Sequence, residues 1–387
     1  MAGAPPYDAI VIGLGAHGSG TALALARRGL RVLGIEAGKR GHELGSSGGH
    51  SRMIRRAYFE DPGYLPLLSA AWSAWESLAA ATGEQFIDVT GGLYAGPGDS
   101  DVFRDSVASA RDQGLAHEVL DAAEIRRRWP VFTVADEVGG LYDPGAGMIR
   151  PDRAIEAQLR LAEEAGAELR FSERAIDWRP GLGGGGRGVE VETDAGVLRA
   201  ESLVIAAGAW TGKFVPDLVL PLEVERLPVL WFEPTIDPTE LGSGRLPVWL
   251  IDTPDDGTFY GFPYDPAVGL KVSRHHSGEP CDPDSLDRSI RPADVERVRT
   301  FNRRNMPAAD GPLRTSTVCL YTNTPDFHFV IDVHPAVSGV AFASACSGHG
   351  FKFAPVVGEI LADLALTGST AHPIDQFRAS RFSIRPE

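Results

Sequence analysis

Lysine is scarce in this chain. Four lysines, at positions 39, 213, 271 and 352, stand against 33 arginines. Where any surface cation would serve, arginine is used, so each surviving lysine marks a place where a compact ammonium is wanted instead of a planar fork. Cysteine is scarcer still. Cys281, Cys319 and Cys346 show neither metal-ligand spacing nor a disulfide framework, so no metal is expected and a reducing, cytoplasmic setting is. No apolar run approaches the length of a membrane span. The opening residues Met1 to Pro6 contain neither a basic segment nor an apolar stretch, so neither a signal peptide nor a membrane partner is expected. Positive charge is also short: the formal net charge of −15 argues against nucleic acid as a partner. At 387 residues with 43% hydrophobic content, the chain is long enough for two domains and a large core.

The stretch from Tyr7 to Glu36 carries the first positive signal. Tyr7 to Ile12 is a short branched-apolar run that reads as a buried parallel strand. Gly13-Leu14-Gly15-Ala16-His17-Gly18 follows, then a small-residue helix from Ser19 to Arg28, and a second strand, Leu30 to Ile35, closing on Glu36. Gly13 suits a tight turn, Gly15 a backbone approach to a pyrophosphate, and Gly18 close packing of helix on strand. The helix N-terminus then faces phosphates and Glu36 the ribose hydroxyls, so a dinucleotide site is expected.

Further along, Gly38 to Arg56 is a Gly/Ser/His-rich loop that turns basic, suited to an anionic ligand. Tyr64 to Ala81 carries a helical apolar stripe through Leu65, Leu68, Trp72, Trp75 and Leu78, which reads as core. A strand is expected over Ile87–Ala95, helices over Asp99–Gly114, Asp121–Trp129 and Asp152–Gly166, and an extended link over Gly140–Gly147. Leu169–Trp178 and Val189–Thr193 are expected to form a hairpin around the glycine-rich tract Gly181–Gly188. Strand Val197–Glu201 then returns, and Leu203–Trp210 reads as a separate buried strand. Val219–Gly269 is β-rich, Pro292–Met306 is helical, and the C-terminal third holds Val318–Asn323, Phe327–Val333, Gly339–Ala345 and a final helix, Ala354–Leu366. The fold class expected is α/β (α+β): a dinucleotide-binding domain over residues 1–85, 148–217 and 318–387, with a β-rich substrate domain from 86–147 and 218–317 inserted.

Several longer motifs join these elements: Gly45-Ser46-Ser47 leading to Ser51-Arg52-Met53-Ile54-Arg55; Tyr260-Gly261-Phe262-Pro263; Cys319-Leu320-Tyr321-Thr322-Asn323-Thr324; and Ser347-Gly348-His349-Gly350-Phe351-Lys352-Phe353. Together they resemble the monomeric sarcosine oxidase, N-methyltryptophan oxidase and pipecolate oxidase family over nearly the whole chain, from Asp8 to Phe382. The resemblance implies FAD held covalently through a thioether at Cys319. It places Arg55 and Lys352 on a substrate carboxylate and Lys271 beside the flavin, promoting oxygen reduction. Tyr260, His275 and Tyr321 are implied to line the substrate cavity, and Arg52 to pack on the flavin. Ala16, His17, Ser46, Ser51, Ala175, Gly208, Gly348, Gly350 and Phe351 complete the implied cofactor contacts. Relatives usually carry a histidine where this chain has Gly48, and His50 lies two places on.

The residue chemistry agrees with that resemblance. One fork and one point cation suit a carboxylate, and backbone N–H groups with a nearby lysine suit a ring that gains negative charge. Cys281 and Cys346 read as small buried residues. His275 with His276 could equally be a surface pair, and Tyr260 and Tyr321 could equally be core aromatics. The expected activity is oxidation of a secondary α-amino acid, sarcosine or a similar N-methyl amino acid, to an imine that hydrolyses, with O2 reduced to H2O2 by a monomeric enzyme. The alternatives are an oxidase or dehydrogenase of a cyclic imino acid, a biosynthetic tailoring flavoenzyme, and a non-catalytic flavoprotein.

Overall fold

The computed structural model describes residues 7–181, 188–276 and 278–382. Its first layer is an eight-stranded sheet. Tyr7–Ile12 lies at the centre, parallel to Val32–Glu36 on one side and to Gly196–Ile205 on the other. Glu168–Phe171 and Val340–Ser344 extend the parallel set outward. The chain runs to one side first and then crosses to the other. Tyr7–Ile12 is therefore a switch point, and the crevice beyond its carboxyl end is where such sheets bind ligands. Ile10, Val11 and Leu33 are fully buried, as strands covered on both faces require.

Helix Ala16–Arg27 begins three residues earlier than expected, directly on the glycine turn. Gly13 has φ +88°, and a Cβ there would lie 2.5 Å from the Ala206 carbonyl oxygen. A Cβ on Gly18 would lie 1.7 Å from the Gly13 oxygen, so the turn closes only without side chains at both places. This helix packs between Pro151–Glu164 and Ala354–Thr367.

The second layer is a nine-stranded sheet. Leu270–Arg274 lies between Glu223–Phe232 and Gly257–Gly261, all antiparallel. Leu313–Asn323 pairs along its length with Glu223–Phe232. The boundary expected at 317/318 thus falls inside a strand, because its hydrogen bonds are made to the second sheet and not to the parallel one.

Other departures have local causes. Ile87–Ala95 divides at Gly91, whose φ of +76° turns the chain. Ile87–Val89 joins a three-stranded sheet with Arg52–Ile54 and Gly147–Ile149, while Gly92–Pro97 enters the nine-stranded one. The expected link Gly140–Gly147 contains most of a paired strand, Val138–Asp143. Leu169–Trp178 breaks at Ser172 (φ +59°): Glu168–Phe171 stays in the parallel set, and Ala175–Pro180 makes the hairpin with Val189–Thr193. The tract 182–187 lies outside the described residues. Val197–Glu201 and Leu203–Ile205 form one strand, which serves the hairpin with its first half and the parallel sheet with its second. Gly208–Trp210 is a helical turn.

Helix Ala354–Thr367 crosses Ala16–Arg27 at two glycines, and a Cβ on Gly358 would lie 2.5 Å from the Gly20 carbonyl carbon. Backbone cannot yield as a side chain can. Gly358→Val is therefore expected to cost about 1–3 kcal/mol by overpacking, read as a lower midpoint in guanidinium unfolding.

Candidate active site

A cavity of about 610 Å³ opens between the carboxyl end of the parallel sheet and the face of the second sheet. Every residue assigned to the cofactor or substrate site from the sequence lines it except Gly18, whose place under the turn is the packing role expected of it. All four lysines line it as well. Lys39 and Lys213 stand at its exposed rim, Lys213 paired with Asp284, while Lys271 and Lys352 are buried inside. Lys39 and Lys213 carried no assignment in the sequence, and their scarcity was the signal that could have marked them.

At one end the first glycine turn meets Glu36, which accepts hydrogen bonds from the Leu14 and Gly38 amides at 2.9 and 3.0 Å. His42 lies 3.0 Å from the same carboxylate. Burial pushes the Glu36 carboxyl up, but His42 and those amides hold it below its ordinary range. His17, on the first turn of the helix, is buried and kept neutral, its imidazole pushed down to about 4 by burial; its Nε2 has no partner. Gly15 leaves its side open towards Ser47. Ala175 and Gly208 lie on the wall around this end.

In the middle, the loop 45–51 is organised by Arg52. Its guanidinium donates to the carbonyls of Ser46 at 2.6 Å, Gly48 at 2.5 Å and Ser51 at 2.7 Å. It also lies 3.6 Å from the Cys319 sulfur, which is buried on Leu313–Asn323 and sits 3.4 Å from the Ser46 carbonyl. Gly48 serves through its carbonyl, which accepts from Arg52. His50 (φ +61°) instead meets Trp231 edge-on at 5.7 Å and lines the cavity. Cys346 also lines the cavity, its thiol pushed up by burial.

Lys271 reaches the same loop from the second sheet. Its ammonium donates to the Gly49 carbonyl at 2.8 Å, the Ser51 carbonyl at 3.1 Å and the Ser51 hydroxyl at 3.3 Å. The rings of Phe262, Trp231 and Tyr260 surround it at 4.8, 5.4 and 5.8 Å. Burial, with Arg52 nearby, holds its amine well below the ordinary lysine value.

The other end is aromatic and cationic. His275 approaches the Tyr321 hydroxyl at 3.3 Å and meets Tyr260 edge-on. Burial raises the Tyr260 phenol to about 12, raises Tyr321 well above its ordinary value, and drives His275 well down, so all three are neutral groups at ordinary pH. Neither the surface pair nor the plain core reading holds for them: all three face the cavity.

Arg55 is buried and pairs with Glu60 at 2.5 Å, a partner not foreseen from the sequence, where Glu60 reads as one more loop acid. Burial works against that carboxylate, yet Arg55 and then Lys352 hold it ionised, down to about 2. Lys352 donates to the His349 carbonyl at 2.6 Å. Its own carbonyl accepts the Trp75 indole N–H at 2.8 Å, so the helical stripe read as core also holds the site. Burial, then repulsion from Arg55, lowers the Lys352 amine to about 7. Two cations and one carboxylate leave room for a single further negative charge.

Residues 8–364 match the FAD dependent oxidoreductase family model. The chain is 41% identical to monomeric sarcosine oxidase of Streptomyces avermitilis, over 99% of both proteins. The chain belongs to the FAD-dependent oxidoreductase family, in its monomeric sarcosine oxidase group. It is also 34% identical to N-methyl-L-tryptophan oxidase of Salmonella enteritidis, covering 97% of this chain and 99% of that one. Among solved structures it is similar to NikD, described as an unusual amino acid oxidase essential for nikkomycin biosynthesis, with a TM-score of 0.85 and 26% identity over 96% and 97% of the chains. The family's mixed α/β architecture is the one expected.

FAD suits this cavity on the geometry just given. The side-chain-free glycine turn, the unpartnered His17 nitrogen, Glu36 and the carbonyl-lined loop 45–51 form one continuous wall. The residues that would hold the dinucleotide are Gly13, Gly15, Ala16, His17 and Glu36 at one end. Ser46, Ser51, Arg52, Gly348, Gly350 and Phe351 follow towards the other.

Proposed function

We propose that this protein oxidises a small secondary α-amino acid, sarcosine or a similar N-methyl amino acid, with oxygen as acceptor. The observation that carries the reading is the pairing of Arg55 and Lys352 at the aromatic end of the cavity, where their net charge with Glu60 asks for one carboxylate. The substrate loses two electrons and two hydrogens from its C–N unit. The resulting imine takes up water and releases the N-substituent as a carbonyl compound, while oxygen becomes hydrogen peroxide. FAD, when bound, supplies the two-electron chemistry.

The chain's own residues position and stabilise. Arg55 and Lys352 hold the carboxylate. Tyr260, Tyr321 and His275 are neutral and leave the amine nitrogen its lone pair. Lys271 concentrates positive charge at the far wall, where an ammonium stabilises charge developing on oxygen better than a guanidinium would. Cys319 is assigned as a thioether attachment point. Its support is a buried sulfur on the cavity wall with a guanidinium beside it, together with the sarcosine oxidase relatives.

The central experiment is anaerobic bleaching of the yellow protein by a panel of N-methyl and cyclic amino acids, followed by peroxide release in air. Sarcosine-like amines should bleach it and yield peroxide; no bleaching by any member would refute the activity. Lys271→Met is expected to bleach at the wild-type rate and recover its colour in oxygenated buffer more slowly by orders of magnitude, each ~1.4 kcal/mol of lost stabilisation being tenfold. Stopped-flow absorbance separates the two halves, and unchanged recovery would make Lys271 merely structural.

Denatured wild-type protein should fluoresce as flavin on a gel, and Cys319→Ser should not. Colour lost wholly to the supernatant on acid precipitation would end the claim of covalent attachment. Arg55→Ala and Lys352→Ala should each weaken substrate binding by about 2–5 kcal/mol, since each leaves a desolvated charge contact broken. The apparent substrate constant reads this, and no change in either variant would place the carboxylate elsewhere.

A further inference from the structure

Tyr58 connects the two cations and touches neither through a hydrogen bond. Its ring is buried among Tyr64, His349 and Phe353, and its amide donates to the Ser109 hydroxyl at 2.9 Å, so it has no freedom to leave. Arg55 Cζ lies 4.7 Å from the ring centroid and Lys352 Nζ lies 5.0 Å from it. The phenol is 2.6 Å from His349 Nδ1, while His349 Nε2 lies 3.1 Å from the Phe327 carbonyl. A carbonyl only accepts, so Nε2 carries the proton and Nδ1 accepts a hydrogen bond from the Tyr58 hydroxyl. The His349 carbonyl in turn accepts from Lys352. Ring, imidazole and ammonium thus close on one another.

We propose that Tyr58 is a positioning residue of the carboxylate site, whose π face keeps the Lys352 ammonium charged and in place beside Arg55. This rests on the carboxylate reading of Arg55 and Lys352. Like charges held close repel, and a carboxylate beyond Glu60 would cancel the charge left for a ligand; an aromatic face attracts both cations and adds no charge of its own. The phenol's proton is secured by burial, which raises Tyr58 far above its ordinary value, and His349 stays neutral, lowered to about 3 chiefly by burial. The charged and titratable groups that face Lys352 are Arg55 and Glu60 from the loop, His349 from its own turn and His275 from across the cavity. Arg55 is raised, and Glu60, His349 and His275 are lowered away from neutrality, which leaves Lys352 as the group among them that titrates near it.

The consequence is a pH dependence of carboxylate affinity. Lys352 is charged below about pH 7 and neutral above it, so affinity should be full on the acid side and fall as pH rises through that value. An amine-free probe isolates this from ionisation of the substrate nitrogen.

The experiment titrates acetate into the flavin-loaded protein from pH 5.5 to 9 and follows the change in flavin absorbance. Wild type should show a bend near pH 7. Tyr58→Phe keeps the ring and should keep the bend, whereas Tyr58→Leu should move it to lower pH by about half a unit to one unit. At pH 8 that shift makes acetate binding about three- to tenfold weaker. A series with phenylalanine and its mono-, di- and trifluoro forms at position 58 weakens the π face at nearly constant shape. It should move the bend stepwise, even where Tyr58→Leu fails to fold.

Lys352→Met is the reference arm and should abolish the bend. If Lys352→Met binds acetate as wild type does, the carboxylate reading falls and this proposal with it. If Lys352→Met abolishes the bend but the fluorinated series leaves it unmoved, the role of Tyr58 alone is overturned.

Discussion

Two lysine side chains are buried in one cavity, neither hydrogen-bonded to a carboxylate. Lys271 is held by two carbonyls and a hydroxyl, Lys352 by a single carbonyl, and aromatic rings surround both. Burying a charge this way is costly unless dipoles replace the water removed. Much of the architecture does that replacing. Leu270–Arg274 sits inside the nine-stranded sheet with partners on both sides, so Lys271 projects from a rigid strand. Arg52 draws three carbonyls together and shapes the loop whose Gly49 and Ser51 carbonyls receive Lys271, the Ser51 carbonyl being shared by both cations. Trp75 ties the backbone of Lys352 to a helix that otherwise only packs the core.

The cavity belongs to neither sheet alone. The parallel sheet contributes its switch point, with the glycine turn and Glu36, and the second sheet contributes Lys271, Tyr260 and Cys319. The C-terminal turn carrying His349 and Lys352 closes the space between them. Residues separated by some 300 positions therefore share one electrostatic environment. Lys352 is depressed partly because Arg55 is near, and Glu60 stays ionised because both are. A reading that assigns one residue to one task misses this mutual dependence.

The dinucleotide signature was legible because it is local. Strand, glycine turn, helix and acid occur within thirty residues, and the left-handed turn at Gly13 and the contact of Gly18 with the Gly13 carbonyl are demands made inside the segment. The final motif, Ser347 to Phe353, was legible for the same reason. The inserted β-rich segments were less so. Ile87–Ala95 looks like one strand until Gly91 turns it between two sheets, and Leu313–Asn323 takes its partner from a segment about ninety residues away. Pairing partners at such distances leave no periodic trace in the strand that receives them.

By itself the sequence determined the strand, glycine turn, helix and acid of the nucleotide-binding half, since short-range spacing carries them, and its longer motifs pointed to Arg55, Lys271 and Lys352 only through a family resemblance. Only the tertiary structure decided that Glu60 shares Arg55, that Tyr58 lies against both cations, and that Trp75 steadies Lys352. The physical reason is range. Propensity and sterics act over a few residues and are written locally, whereas charge, burial and π contacts depend on what folding brings within 3–6 Å. A buried acid and a loop acid are the same letter until the chain closes over one of them.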